Sequence, residues 1–195
     1  MNVQIIISHI KQHVALTEEE EKFLSAILIT QKLEQGEFAE VAGEVTQSMI
    51  FVNSGCLMTY FMQKSGVDQV IQFSTSGWWT GDLNSLNSGK PSSYATHALT
   101  SCELLLLPKI RMQELLDRFP VFEKYFRIIF QNSLITHQKR IVQAFTLTAD
   151  ERYQNFQKQY PQLEQFVPLK YIASYLGITP EFLSKIRRKL AQKKS

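Results

Sequence analysis

Four cations lie within five positions near the C-terminus, on a segment whose spacing is typical of a DNA-binding helix-turn-helix. Cations along a helix bind phosphates, and polar side chains at its start contact base edges. The segment therefore predicts DNA binding, against the alternative of an ordinary helical hairpin with a solvated basic face. The residues expected to contact DNA are Lys170, Tyr171, Thr179, Pro180, Glu181, Ser184, Lys185, Arg187 and Arg188.

Turn signals divide this segment into two short helices. Gly177 stands where the first helix should end, because glycine readily adopts the left-handed backbone of a helix terminus. Thr179 can cap the second helix, and Pro180 suits its first position, where no backbone N–H is needed. At the start of that helix, Glu181 would accept from a cytosine amino group and Lys185 would reach guanine or phosphate.

Composition and charge exclude several classes of protein. Apolar residues make up 44% of the 195-residue chain, which is typical of a globular protein. No apolar run reaches 18 residues and no basic leader is present, so we expect a cytoplasmic protein without a membrane contact. The overall net charge is +3, but residues from 148 onward carry nine Lys or Arg and only four Asp or Glu. This asymmetry places the expected nucleic-acid contact in a basic C-terminal module.

Neither catalytic nor metal-binding residues are expected. Cys56 and Cys102 are the only cysteines and do not form a CxxC pair, so a four-thiolate cluster is excluded. The chain shows no His-x-His pattern and no nucleophile with a nearby base motif. Two rivals to DNA binding stay open: an effector sensor that acts through protein contact, and a cupin-like enzyme.

The elements that would position the basic module follow a simple order. Residues 17–28 predict a helix capped by Thr17. Between 29 and 107, seven short segments rich in β-branched and aromatic residues predict a β-sandwich or jelly roll, with a hairpin turn at 64–68. Helices are predicted at 109–118, 121–146 and 148–161. The apolar stripe of the long helix is wider than one packing face needs, so it predicts a dimer contact, with purely internal packing as the alternative.

This order, together with the runs ADERY at 149–153 and PLKYIASYLGITPE at 168–181, resembles the Crp/Fnr superfamily of bacterial transcription regulators, in particular its Bacteroidetes members. The resemblance implies an α+β protein with a cyclic-nucleotide-binding-like jelly roll at 1–118, a dimerisation helix at 119–147 and a helix-turn-helix domain at 148–195. It implies a homodimer on a palindromic operator in double-stranded DNA, with RNA polymerase as a further partner.

The resemblance also indicates an effector pocket, which this chain has altered. Cyclic-nucleotide binders have a Gly-Glu pair followed about ten residues later by Arg-Ser or Arg-Thr. Gly81-Asp82 matches the first pair, but Ser92-Ser93 replaces the second, so the phosphate-binding arginine is absent. A cyclic nucleotide is therefore not expected, whereas another small effector or no ligand stays open. The candidate pocket residues are Trp79, Gly81, Asp82, Ser92, Ser93 and His137.

Two further departures concern cofactors and the wing. No cofactor is expected, since the iron–sulfur form of the family needs more cysteines and a haem form needs an axial ligand, for which the four histidines are only isolated candidates. Relatives continue past the recognition helix into a β-hairpin wing. This chain is expected to have a truncated wing, with Lys193 and Lys194 partly replacing its phosphate contacts.

Overall fold

The computed structural model, which describes residues 2–62 and 68–192, has the predicted α+β fold with a β jelly roll. Two four-stranded antiparallel sheets form the roll, with strand orders β1-β8-β3-β6 and β2-β7-β4-β5. In chain order the strands are β1 (Ile29–Leu33), β2 (Phe38–Glu40), β3 (Ser48–Ser54), β4 (Cys56–Met62), β5 (Asp68–Thr75), β6 (Trp79–Thr80), β7 (Ala95–Ala98) and β8 (Cys102–Pro108).

All seven predicted strands are present, because alternating apolar side chains of the two sheets meet in a common interior. That interior contains Leu33, Ile50, Val52, Leu57, Ala98, Cys102 and Leu104. The two-residue strand β6 was not predicted; it is held by pairing with β3, where Phe51 lies opposite Trp79. The predicted hairpin turn lies almost entirely in residues 63–67, outside the described residues, but the strands on either side of it pair antiparallel.

The helices confirm the predicted order and add elements that the sequence did not reveal. They are α1 (Gln4–Lys11), α2 (Glu18–Ile27), α3 (Leu83–Ser88), α4 (Lys109–Arg118), α5 (Pro120–Thr146), α6 (Ala149–Gln159), α7 (Leu169–Leu176) and α8 (Pro180–Gln192). A short 3-10 helix spans Leu163–Gln165. Thr17 caps α2 as predicted: its backbone N–H donates to Glu20 Oε2 at 2.7 Å, and its hydroxyl accepts from Glu20 N.

Helix α1 forms although its sequence is rich in β-branched isoleucine, which has modest helix propensity. Ile6, Ile7 and Ile10 are buried against the outer face of the first sheet, together with α2, α4 and the start of α5. Burial of this apolar face stabilises the helix more than its local propensity does. The same core includes Tyr125 of α5, which is fully buried.

The C-terminal module, residues 149–192, packs on the jelly roll. Its own core of Tyr153, Phe156, Ile172 and Leu183 is continuous with Phe73 of β5. Polar contacts add to this packing, because β5 is an edge strand with unpaired backbone groups. Ser174 of α7 accepts from Val70 N at 2.9 Å and donates to Asp68 O at 2.7 Å.

Arg140 of α5 completes this junction. Its guanidinium donates to the carbonyl oxygens of Val70 and Ile71 on β5 and of Tyr175 on α7, and it lies 3.9 Å from the centre of the Tyr175 ring. One side chain thus joins the long helix, the jelly roll and the C-terminal module. Beyond them α8 continues to Gln192, and no strand follows it among the described residues. Lys193 and Lys194, expected to replace the wing, lie outside those residues.

Candidate functional site

The Gly81-Asp82 pair lies where β6 ends and α3 begins. Gly81 has a φ of 131°, which side-chain-bearing residues rarely adopt, and it turns the chain into α3. The Asp82 carboxylate caps that helix, accepting through Oδ1 from Asn84 N at 2.9 Å and from Ser85 N at 3.1 Å. Its Oδ2 accepts from the Ser92 hydroxyl at 2.8 Å. Both carboxylate oxygens are therefore engaged within the protein.

A second carboxylate reinforces this arrangement. Glu40 of β2 accepts from the hydroxyls of Thr46 and Thr96 at 2.9 and 3.0 Å and from Asp82 N at 3.3 Å. Among the described residues, no lysine or arginine forms an ion pair with Glu40 or Asp82. An anionic group placed at the start of α3 would meet two carboxylates, neither of which is paired with a lysine or arginine of the described residues.

The predicted pocket residues are only partly brought together. Trp79, Gly81, Asp82 and His137 line a cavity of about 580 Å³ that lies between the jelly roll, α5 and the C-terminal module. The two serines are elsewhere. Ser92 is buried beside Asp82, Ser93 is exposed, and neither lines the cavity.

The cavity wall contains aromatic and polar residues that sequence reasoning missed. Its further aromatic rings are Trp78, Tyr94, Phe130, Tyr160 and Tyr175, and Arg140 also lines it. Trp78 packs against Tyr160, so the wall includes a contact between the jelly roll and the C-terminal module. Nothing in the local sequence signals this wall, because its residues come from the jelly roll, α5 and the C-terminal module and meet only in the folded chain.

A hydrogen-bonded trio connects α1 to the cavity. The Trp79 indole N–H donates to the Tyr125 hydroxyl at 2.7 Å. That hydroxyl also lies 2.9 Å from His9 Nδ1, within hydrogen-bonding distance. Burial, with a smaller contribution from His13, lowers the His9 pKa and favours the neutral imidazole. Burial and the nearby Arg140 guanidinium likewise lower the His137 pKa.

The second helix of the helix-turn-helix presents its polar face to solvent. Gly177 ends α7 in the left-handed conformation with φ 69°, and Thr179 Oγ1 accepts from Phe182 N at 3.2 Å, both as predicted. Leu183 and Ile186 face the module's core. The opposite face consists of residues three or four positions apart, all exposed: Glu181, Ser184, Lys185 and Arg188.

Other predicted DNA contacts have different surroundings. Arg187 lies on the flank of α8 near Tyr153, and its charge acts against the raised pKa of that phenol, which burial mainly causes. Tyr171 faces the jelly roll, where its ring lies edge-on to His97 at 6.3 Å between centroids, while Lys170 is exposed beside it. The Glu181 carboxylate accepts from its own backbone N–H and from the Thr179 hydroxyl, and these bonds lower its pKa.

Known proteins resemble this arrangement at two levels. Residues 30–119, which include both carboxylates and α3, match the model of the cyclic nucleotide-binding domain. This segment, a little under half of the chain, is similar to the cyclic nucleotide-binding domain family. No curated protein matches the sequence significantly.

Solved structures extend the likeness beyond this domain to nearly the whole chain. FixK2 from Bradyrhizobium japonicum has a TM-score of 0.73 at 17% identity, covering 86% of each chain. CLP from Xanthomonas campestris, described as a c-di-GMP-responsive global regulator, has a TM-score of 0.72 at 14% identity over 91% of this chain and 93% of its own. A protein from Eubacterium rectale described as of the Crp/Fnr family reaches 0.70 at 18%, over 91% and 85%. The chain thus has the predicted Crp/Fnr-type fold.

We call the group formed by Glu40, Gly81, Asp82, α3 and Ser92 the cassette around α3. It is unlike a phosphate-binding site, because the Asp82 carboxylate itself occupies the N-terminus of the helix. The jelly roll instead borders the mostly neutral 580 Å³ cavity, whose other walls come from α5 and the C-terminal module. Among the described residues, no helix is both long and apolar enough to span a membrane.

Proposed function

We propose that this protein is a cytoplasmic, homodimeric, sequence-specific DNA-binding transcription regulator. The observation that carries the proposal is the exposed face of α8, on which Glu181, Ser184, Lys185 and Arg188 lie together. A capped helix with polar residues at its start and cations further along is suited to the major groove. The resemblance to regulators of the Crp/Fnr type supports the same reading.

The domain division follows the same proposal. Residues 1–118 would sense an effector, 119–147 would dimerise and 148–195 would bind a palindromic operator and influence RNA polymerase. The exposed half of α5 supports the dimer, since large apolar side chains recur there at spacings of seven and four residues. Leu134, Ile141 and Phe145 are 58, 59 and 85% exposed in the single chain. A second copy of α5 would bury this seam.

Recognition by α8 is tested by separating base contacts from phosphate contacts. Selection from random DNA should yield a palindrome whose half-site centres lie about 10 base pairs apart, or a multiple of that. Arg188→Ala should weaken binding to all sequences and reduce the salt slope by about one unit. Lys185→Ala should change the preferred base at one position, at a cost of about 1–3 kcal/mol.

Lys158→Ala is the matched control, because Lys158 is an exposed cation on α6 rather than on the α8 face. Gel shifts at several salt concentrations would measure all three variants. Recovery of no palindrome, or a Lys185→Ala protein with unchanged preference and affinity, would contradict the assignment of α8 as the recognition helix.

We further propose that the 580 Å³ cavity holds a small effector other than a cyclic nucleotide. Its size lies within the range of about 300–1,000 Å³ that small-molecule sites occupy. Its walls come from the jelly roll, α5 and the C-terminal module, so an occupant would contact all three parts. That arrangement would let binding alter the position of the DNA-binding helices.

Cyclic AMP should not bind with useful affinity. A phosphate beside α3 would meet the carboxylates of Asp82 and Glu40, and no cation of the described residues pairs with either. Burying a charge without compensation is strongly unfavourable. Calorimetry should therefore show no micromolar or tighter binding of cyclic AMP, and such binding would refute this interpretation of the residues around α3.

A further inference from the structure

A second cavity, of about 420 Å³, opens between α5, α6 and the end of α7. We call it the cationic cleft and define it by Lys139, Arg140, Gln143, Arg152, Asn155 and Gln159, which line it. Neither the match to the cyclic nucleotide-binding domain, which ends at residue 119, nor the residues proposed for DNA recognition include any of these side chains. Its volume is that of a small-molecule site rather than of a single inorganic ion.

The charge of this cleft is one-sided. Three cations line it, and its described lining contains no carboxylate. Among the described residues, none of these cations lies within 4.0 Å of an acidic group. The two arginines donate to backbone carbonyls: Arg140 to Tyr175 O at 3.0 Å, and Arg152 to Leu147 O at 2.9 Å. Like charges gathered in a concave site create a positive potential that attracts anions.

One donor in the cleft lining is also left unsatisfied. The Nε of Arg152 is buried and has no hydrogen-bond partner among the described residues. Buried donors in native proteins are normally paired, and a guanidinium matches the oxygens of a phosphate group. The Arg152 guanidinium is therefore underpaired at the wall of the cleft, and an anionic ligand there would compensate its charge.

The remaining walls suit an organic molecule with ring nitrogens. Gln143, Asn155 and Gln159 each offer an amide that both donates and accepts. The Tyr175 ring lines the same cleft. From the cations, the amides and the volume, we propose that the cationic cleft binds a nucleotide through its phosphate groups. The cleft shares no residue with the cassette around α3. Its charged side chains are cations, whereas those of the cassette are the carboxylates of Asp82 and Glu40.

Dimerisation would leave this cleft open. Successive residues of a helix are about 100° apart, so the cleft residues Thr136, Lys139, Arg140 and Gln143 lie on the side of α5 opposite the exposed seam that includes Leu134 and Ile141. A nucleotide bound there would contact α5, α6 and the end of α7 together. It would therefore stabilise the docked position of the C-terminal module.

The test is titration calorimetry of the full chain with ATP, AMP and inorganic pyrophosphate at about 0.1 M salt. ATP should bind more tightly than AMP, because it has more phosphate charge, and more tightly than pyrophosphate, which lacks the base. Lys139→Glu should weaken ATP binding about tenfold or more. Lys139 is exposed, so this variant should fold normally. Lys158→Glu is the control, with the same charge change at an exposed position on α6 outside the cleft, and it should bind ATP as the wild type does.

Arg152→Gln provides a second variant, with thermal unfolding to check its fold, and should also lose ATP binding. The proposal would be overturned by the absence of heat with ATP up to about 5 mM, or by equal loss of binding in the Lys158→Glu control. Equal affinity for pyrophosphate and ATP would refute recognition of a nucleotide. If Lys139→Glu weakened only DNA binding and ATP did not bind, the cleft would be a DNA backbone contact instead.

Discussion

Replacing Leu134 and Ile141 by glutamate should convert the protein into a monomer and weaken operator binding by a factor of about 100 or more. Both side chains are more than half exposed in the single chain, so the change should disturb the dimer rather than the fold. In a dimer, the two new carboxylates of each subunit would be buried in the apolar contact and would face those of the other subunit, which is strongly unfavourable. Two linked half-site contacts raise avidity by about 10²–10⁴, and a monomer loses that gain.

Light scattering would measure the oligomeric state, and circular dichroism would confirm that the helices are retained. Asn132→Glu is the control, because Asn132 is exposed on the other side of α5 and should leave the dimer intact. A wild-type protein that is monomeric at tens of micromolar, or a double variant that still dimerises, would show that α5 is not the dimer contact.

Phe73→Ala should destabilise the protein by about 3–5 kcal/mol and loosen the C-terminal module from the jelly roll. Phe73 of β5 is fully buried, and its ring packs against those of Phe156, Tyr160 and Tyr175 at centroid distances of 6.2, 6.2 and 5.4 Å. Truncation would leave a cavity at the place where the two parts share one core. For a chain of this length the expected drop in melting temperature is about 10 °C.

Hydrogen exchange would locate the effect. Amides of α6 and α7 should exchange faster, while those of α1 and α2, in a separate core, should not. Phe38→Ala is the matched control, since Phe38 is 47% exposed on β2 and its truncation should change stability little. Similar losses of stability in the two variants would argue against a shared core at this junction.

Some features of this protein are specified locally, and the sequence alone was sufficient to predict them. The capping box at Thr17, the left-handed turn at Gly177 and the cap at Thr179 each depend on residues within three or four positions. Strands of the jelly roll could be predicted because alternation and turn residues report burial on one face. The absence of an arginine opposite Asp82 was likewise visible in the chain.

Local signals failed where distant packing decides the structure. Helix α1 is stabilised by burying three isoleucines rather than by its propensity, so its periodicity gave a weak signal. Strand β6 consists of two residues that pair only because β3 lies beside them. The carboxylate of Asp82, a candidate pocket residue that lines the cavity, also caps α3 and accepts from Ser92, ten residues along the chain, which the sequence did not reveal.

The docking of the C-terminal module on β5 was decided by tertiary structure alone. The contacts of Ser174 with Asp68 and Val70 join residues more than 100 positions apart, and no spacing rule relates them. That docking turns Tyr171 toward His97 and adds Tyr160 and Tyr175 to the cavity wall. Sequence periodicity shows which face of α7 is apolar, but not which surface will cover it. The hydrophobic effect is non-directional, so burying this face against any complementary apolar surface would be favourable. Only the folded chain determines which surface lies next to it.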